Sequence, residues 1–337
     1  MKRIIILIFA LSTIMLFADD VDFSGYGAVG YKIYDKSVGD YDLPSSYYQA
    51  KLQVDVKLDS IVKFQIDLRG YSETEELEFR EYSAEVDFFK WANFKLGYVK
   101  SPFSIEYSVP RDKIITIDRS MVFESISDLG YGERNVSFTV FAENSVDDEI
   151  PLSYDFQIYN NNSGITGIST GIKYAVQDYI FGVNYHFRGM GLFDENFVEE
   201  KINSDGFAFN LEMDKKDLDG FIEVFYVQDM ERSLANTFDT TGAGVYAFGA
   251  NLQIDTDIEF ESKYINKLEP AIVLGYFAED VDNMDQHTIQ ALFGISYFLN
   301  DKTRLSINAD YRLEKNIERN IYATDKSRIL IEFKTRF

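Results

Sequence analysis

Apolar and polar residues alternate along most of the chain with a period of two. Tyr48, Ala50, Leu52, Val54, Val56 and Leu58 fall on one face of a segment; Gln49, Lys51, Gln53, Asp55, Lys57 and Asp59 fall on the other. The next segment repeats this, with Val62, Phe64, Ile66 and Leu68 set against Lys63, Gln65, Asp67 and Arg69. A period of two is the signature of a strand with unlike faces. Only Asp59-Ser60-Ile61 separates the two runs, which predicts a tight hairpin.

Further segments of this kind are predicted near 21–34, 46–59, 61–72, 77–89, 93–99, 134–143, 151–160, 168–175, 178–188, 204–213, 218–228, 242–255, 268–279, 288–299, 303–314 and 326–337. That makes sixteen, an even number. Most suit the roughly 9–11 residues of a tilted membrane strand. The connections alternate between mostly short (59–61, 90–92, 176–177, 214–217, 300–302) and mostly long (35–45, 100–133, 189–203, 229–241, 315–325). Short turns on one side and long loops on the other fit a bacterial outer-membrane barrel. The 256–267 connection is long for the short set and has room for a short helix. No apolar run after residue 18 reaches the roughly 20 residues of a spanning helix. Only helices and closed barrels satisfy the backbone in lipid. A soluble sandwich alternates too, but it would need polar residues on the face read here as lipid-facing, and in segments 46–59 and 61–72 that face shows none from Tyr48 to Leu58 or from Val62 to Leu68.

Residues 1–18 read as a secretory signal peptide, with Lys2 and Arg3 ahead of an apolar stretch from Ile4 to Phe17. The alternative is an N-terminal anchor, since Leu16 stands where a small residue is preferred. The barrel would then occupy 19–337, in the outer membrane.

Charge and composition narrow the function. The net charge is −23, with no basic face to hold nucleic acid. There are no cysteines, hence no disulfide framework or thiol chemistry. Aromatics are 16% of the chain, and many fall near segment ends: Tyr31, Tyr34, Tyr47, Tyr48, Phe88, Phe89, Trp91, Phe94, Tyr98, Tyr297 and Phe298. Such positions suit interfacial girdles. In the last segment Ile329, Ile331, Phe333, Thr335 and Phe337 share a face. A terminal amphipathic strand ending in Phe resembles the C-terminal signature of outer-membrane barrels.

Residues 96–106 read Leu-Gly-Tyr-Val-Lys-Ser-Pro-Phe-Ser-Ile-Glu. This resembles the GxxxxPFSxE stretch of the phosphate-selective porin O/P family, where a strand leaves the wall for the constriction loop. Ile117-Asp118-Arg119-Ser120 is similar to that family's IERS-type stretch, with Asp for Glu. Lys267-Leu268-Glu269-Pro270 and Tyr297-Phe298-Leu299 are similar to its later strands. The resemblance implies a sixteen-stranded barrel, a homotrimer and a solute-conducting pore. It implies anion or phosphate preference only where basic residues line the bore.

The expected fold is therefore all-β: a sixteen-stranded antiparallel transmembrane barrel with an inward-folded constriction loop, residues 100–133. Its candidate pore-constriction residues are Lys100, Arg111, Lys113, Arg119 and Arg134. Arginine in a narrow, partly dry site suits phosphate bidentately. Alternatively these cations pair with Glu106, Asp112, Asp118 and Glu124 and merely hold the loop. The inferred bore face carries both signs: Lys51, Lys57, Lys63, Arg69, Lys95, Lys173, Arg188, Arg304, Arg312 and Arg328 with Asp55, Asp67, Glu81, Glu85, Asp87, Asp155, Asp310 and Glu332. The outer loops are acidic, with Asp40, Asp42, Glu73, Glu75, Glu76, Asp194, Glu195, Glu199, Glu200, Asp280, Asp282 and Asp285. A vestibule of that sign repels multivalent anions.

Catalysis is not indicated. His186 and His287 lie in no metal-binding pattern, and no Gly-x-Ser-x-Gly occurs. The oxygens of 280–285 have a Ca²⁺-like spacing, without the Gly and terminal Glu of an EF-hand. Gly25-Tyr26-Gly27 and Gly242-Ala243-Gly244 fall within strands and read as packing positions. No cofactor is expected. The expected function is passive diffusion of small hydrophilic solutes or anions through the outer membrane; the alternative is a non-conducting barrel that tethers or adheres.

Overall fold

The alternation closes into a barrel. The computed structural model describes residues 18–34, 44–72, 76–111, 113–114, 116–143, 150–160, 166–193, 199–215, 218–229, 233, 244–260, 262, 265–284, 286–316, 321–323 and 327–337. The leader at 1–17, the acidic residues Asp40, Asp42, Glu73, Glu75, Asp194, Glu195 and Asp285, the loop's Asp112, and the Gly242–Gly244 stretch up to residue 243 lie outside them.

Eighteen strands are assigned: β1 Asp20–Tyr34, β2 Ser45–Lys57, β3 Val62–Tyr71, β4 Glu76–Phe89, β5 Ala92–Lys100, β6 Arg134–Ala142, β7 Leu152–Asn160, β8 Thr166–Val176, β9 Tyr179–Phe193, β10 Glu199–Lys215, β11 Leu218–Asp229, β12 Val245–Thr256, β13 Ile258–Glu259, β14 Lys267–Ala278, β15 His287–Asn300, β16 Thr303–Asn316, β17 Ile321–Ala323 and β18 Arg328–Arg336. Two of these are short continuations. β13 prolongs the line of β12 along β14, and β17 prolongs that of β18 along β16. The wall thus has sixteen staves, each antiparallel to its neighbours. It closes where β1 meets β18, from Tyr26 opposite Arg336 to Tyr34 opposite Arg328. The break between β12 and β13 falls opposite Pro270, which has no N–H to give the ladder. The 256–267 connection holds this short strand, so the short helix its length allowed is corrected at Ile258–Glu259.

Burial is inverted relative to a soluble protein. Asn308 and Glu332 are 0% and 1% exposed, while Leu96 and Phe293 are 59% and 57% exposed. Polar side chains face inward and apolar ones outward, as a lipid-embedded wall around a polar interior requires. No helix among the described residues is long and apolar enough to cross a membrane. The tight β2–β3 turn is set by Asp59, whose carboxylate accepts the Ile61 and Val62 amides at 2.7 Å each. These two bonds hold its pKa below the ordinary value.

Some expectations need correction. Strands β9 and β10 run on to Phe193 and from Glu199, so most of the long loop expected at 189–203 is wall. Tyr47 and Phe298 are not girdle residues. Tyr47 is buried and donates to Glu332 at 3.0 Å; buried Phe298 lies under Lys267 and Arg304. Their neighbours Tyr48 and Tyr297 take the outward phase instead.

The long connection between β5 and β6 contains two helices, α1 Ile105–Ser108 and α2 Met121–Asp128. Ser104 and Ser120 cap them, accepting from the Tyr107 and Phe123 amides. α2 ends at Gly130, whose φ of +86° is readily taken by glycine, and the Tyr131 amide returns to Ile126 O at 3.2 Å.

Candidate functional site

The segment between β5 and β6 is tied to inward-facing groups on many staves. Ser101 donates to Ser169 at 3.0 Å and sits 3.1 Å from His186 Nδ1; Tyr159 meets the other ring nitrogen at 2.6 Å. Asn184 donates to Phe103 O at 3.1 Å. The Glu223 carboxylate accepts from Ser104 Oγ at 3.0 Å, Ile105 N at 2.5 Å and Glu106 N at 3.3 Å. On the other flank, Ile117 N donates to Asn308 at 2.6 Å, Met121 N to Gln290 at 2.8 Å and Arg304 to Ile114 O at 2.7 Å. Arg312 reaches Glu124 at 2.7 Å, and Arg188 donates to Leu129 O at 2.7 Å. The segment therefore spans from the β8–β12 wall to the β15–β18 wall.

An apolar cluster completes the anchorage. Met121, Val122 and Ile126 of α2, with Phe103 and Tyr131, pack on Ala208, Phe225, Val227, Ala247 and Phe277. These wall residues point inward, so the inner face is apolar at this patch. Val122 fits where Gly249 and Gly275 leave space: a methyl at either would lie 2.8 or 3.0 Å from it. The sequence signal was loss of alternation, since Val224-Phe225-Tyr226-Val227 is apolar on both faces.

Three of the five candidate cations converge. Lys100, Arg119 and Arg134 lie 5.4, 5.6 and 5.3 Å from the centre of the Tyr107 ring, a cation–π arrangement. Lys100 Nζ donates to Tyr107 O at 2.9 Å, at the carbonyl end of α1. Arg119 Nη2 donates to Val109 O at 3.0 Å, and Arg134 Nη1 to the Tyr107 hydroxyl at 3.2 Å. Arg119 Nη1 and Arg134 Nε are buried with no hydrogen-bond partner. Glu81 is 3.8 Å from Arg134 Nε. Burial pulls the Arg119 guanidinium down to about 10, against the pull of nearby Glu106, so it stays charged at neutral pH. Burial likewise raises Glu106, although Arg119 and the Ser120 donors pull it back.

The other two candidates sit apart. Arg111 is bound to Asp118 at 2.7 Å, and Arg328 lies 3.4 Å from the same carboxylate. Burial pushes Asp118 up, but Arg111 and Arg328 outweigh it and leave the group below its ordinary range. Lys113 is exposed and lines a separate cavity of about 300 Å³. A larger cavity of about 460 Å³ lies beside Lys95, Lys100, Asp155 and Gln157.

Arg80 joins this neighbourhood unannounced. A β-bulge in β4 pairs Asp67 with Glu81 but Leu68 with Phe79, leaving Arg80 unopposed. Bulges re-aim side chains in this way. The phase slip is visible in the chain: apolar residues stand at 77 and 79, then at 82, 84 and 86.

No family model matches the chain, and no curated protein matches it by sequence. Solved structures do match in shape. A trimer form of OmpT, an outer-membrane protein of Vibrio cholerae, superposes with a TM-score of 0.60 at 10% identity, covering 94% of this chain and 99% of that one. An anion-selective porin from Comamonas acidovorans gives 0.60 at 11% identity, with 94% and 99% covered. OprB of Pseudomonas putida gives 0.64 at 9% identity, with 97% and 96% covered. At such identities the likeness establishes the fold, which is that of outer-membrane porins.

Proposed function

We propose that the chain is an outer-membrane porin, a passive route for small hydrophilic solutes. The segment 101–133 narrows the bore, and the Lys100, Arg119 and Arg134 cluster favours anions there, phosphate among them. The observation that carries this reading is the convergence of three cations on Tyr107, two with buried N–H groups lacking partners. Unmet donors in a confined, weakly screened site favour an oxyanion. Arg111 serves instead to hold the loop. The likeness to an outer-membrane protein described in a trimer form and to an anion-selective porin supports a homotrimer and this choice of sign.

The test is the reversal potential of the refolded chain in a planar bilayer under a KCl gradient. Anion preference that falls in Arg119→Glu with Arg134→Glu supports the reading. Cation preference unchanged by those substitutions assigns selectivity to the acidic rims. A folded barrel without conductance favours a tethering role, with the apolar cluster around α2 as its plug.

A further inference from the structure

On the short-turn side of the loop, strands β9 to β12 wall the 300 Å³ cavity that Lys113 borders. Its inner surface is unusual in register. Asp214 lies directly opposite Asp219, and Asp219 directly opposite Asp255, so three aspartates stand abreast on three neighbouring strands. Strands lie about 4.8 Å apart, and like charges directly opposite one another are destabilising. The row above reads Glu212, Phe221, Gln253 in the same register. Glu212 is taken by Lys173 at 2.8 Å. Gln253 is only 5% exposed, and its Oε1 is buried with no hydrogen-bond partner. Lys267, which bears on this row from β14, is bound to Asp257 at 3.0 Å.

A row of carboxylates, an aromatic ring and an unmet amide oxygen suit a cation that is also a hydrogen-bond donor. Among the described residues no three acidic or imidazole groups are placed to hold a metal ion. We propose that this cavity binds the cationic head of an organic solute, an ammonium or guanidinium group. The head lies between the Asp214, Asp219 and Asp255 row and the Phe221 ring, and donates to Gln253 Oε1. The site is distinct from the cation cluster at Tyr107 and does not depend on conduction.

The test uses the full chain refolded in detergent, with folding followed by heat-modifiable migration. Binding of ethylguanidinium chloride is read by saturation-transfer NMR, with neutral, similarly shaped ethylurea as control. Ethylguanidinium is expected to bind and ethylurea not. Asp219→Asn with Asp255→Asn should weaken binding about tenfold, equivalent to about 1.4 kcal/mol. Phe221→Leu, which keeps every charge, should weaken it as well. The proposal is overturned if the folded chain binds both probes equally, or if the folded double variant binds like the parent. A non-conducting chain that still binds ethylguanidinium would sink the pore reading alone.

Discussion

The Glu223 carboxylate on β11 accepts the Ile105 amide at 2.5 Å, across 118 residues of chain. Both groups are buried, and the same carboxylate takes Ser104 and Glu106. It fixes the start of α1 against the wall. Glu223→Leu should leave these donors unsatisfied at about 1–3 kcal/mol each. The barrel should still fold, since its ladder does not use this side chain. Larger, noisier currents and new proteolytic cuts within 101–133 are expected; unchanged currents would mean the segment is held elsewhere.

The second anchor is steric. Gly249→Leu puts a side chain where Val122 sits, so α2 must leave its bed. Overpacking of this kind costs about 1–3 kcal/mol. Conductance should rise while heat-modifiable migration persists. Gly249→Ala, whose methyl would lie 2.8 Å from Val122 Cγ1, should show a smaller change in the same direction.

Arg111 and Arg119 carry the same charge but should behave differently. Arg111 is neutralised by Asp118, whereas Arg119 keeps a buried N–H without a partner. Arg119→Ala is expected to lower anion preference in a salt gradient. Arg111→Ala should mainly raise current noise, by loosening the loop. Equal shifts of reversal potential would argue against the division of roles.

Lipid contact can be probed at Ile172 on β8, which is 54% exposed. Ile172→Arg should destabilise the folded barrel by about 2–4 kcal/mol if it lies near the bilayer centre, as measured by urea titration of refolding in vesicles. Val54, also on the apolar face, is only 5% exposed because Phe23 and Ile66 flank it in register. Arginine there should cost more, through clash as well as burial.

The loop should respond to acid. Asp118 is held below its ordinary range, so its bridge to Arg111 and Arg328 contributes stability above the unfolded value of about 3.9. That contribution is lost as pH falls through the lower, folded value. Glu106 runs the other way: burial raises it, so its docked form favours the proton and weakens as pH climbs past the usual carboxylate range. Current noise should therefore increase sharply below about pH 4 in the parent. The acid rise should be absent in Asp118→Asn, which is already loosened at neutral pH.

What the sequence determined by itself was the wall. Register and face follow from a period of two, because each strand must give lipid one face and water the other; a slip by one residue would invert every side chain. The sixteen staves and the inward charges Lys51, Asp67, Arg69, Asp310 and Glu332 were legible for that reason. Even the β4 bulge left a phase slip at 79 to 82. The site was legible only as a run of cations in one long connection. Tertiary structure decided that Lys100, Arg119 and Arg134 share Tyr107, that Arg111 is held by Asp118, and that Lys113 borders a separate cavity instead. Those outcomes depend on which carbonyl, ring or carboxylate each flexible side chain meets across the barrel. The partners are near in the chain, 7 positions for Arg111 and Asp118 and 27 for Arg134 and Tyr107, but the path that brings them together is set by anchors such as Glu223 to Ile105, 118 positions apart, which no local pattern encodes.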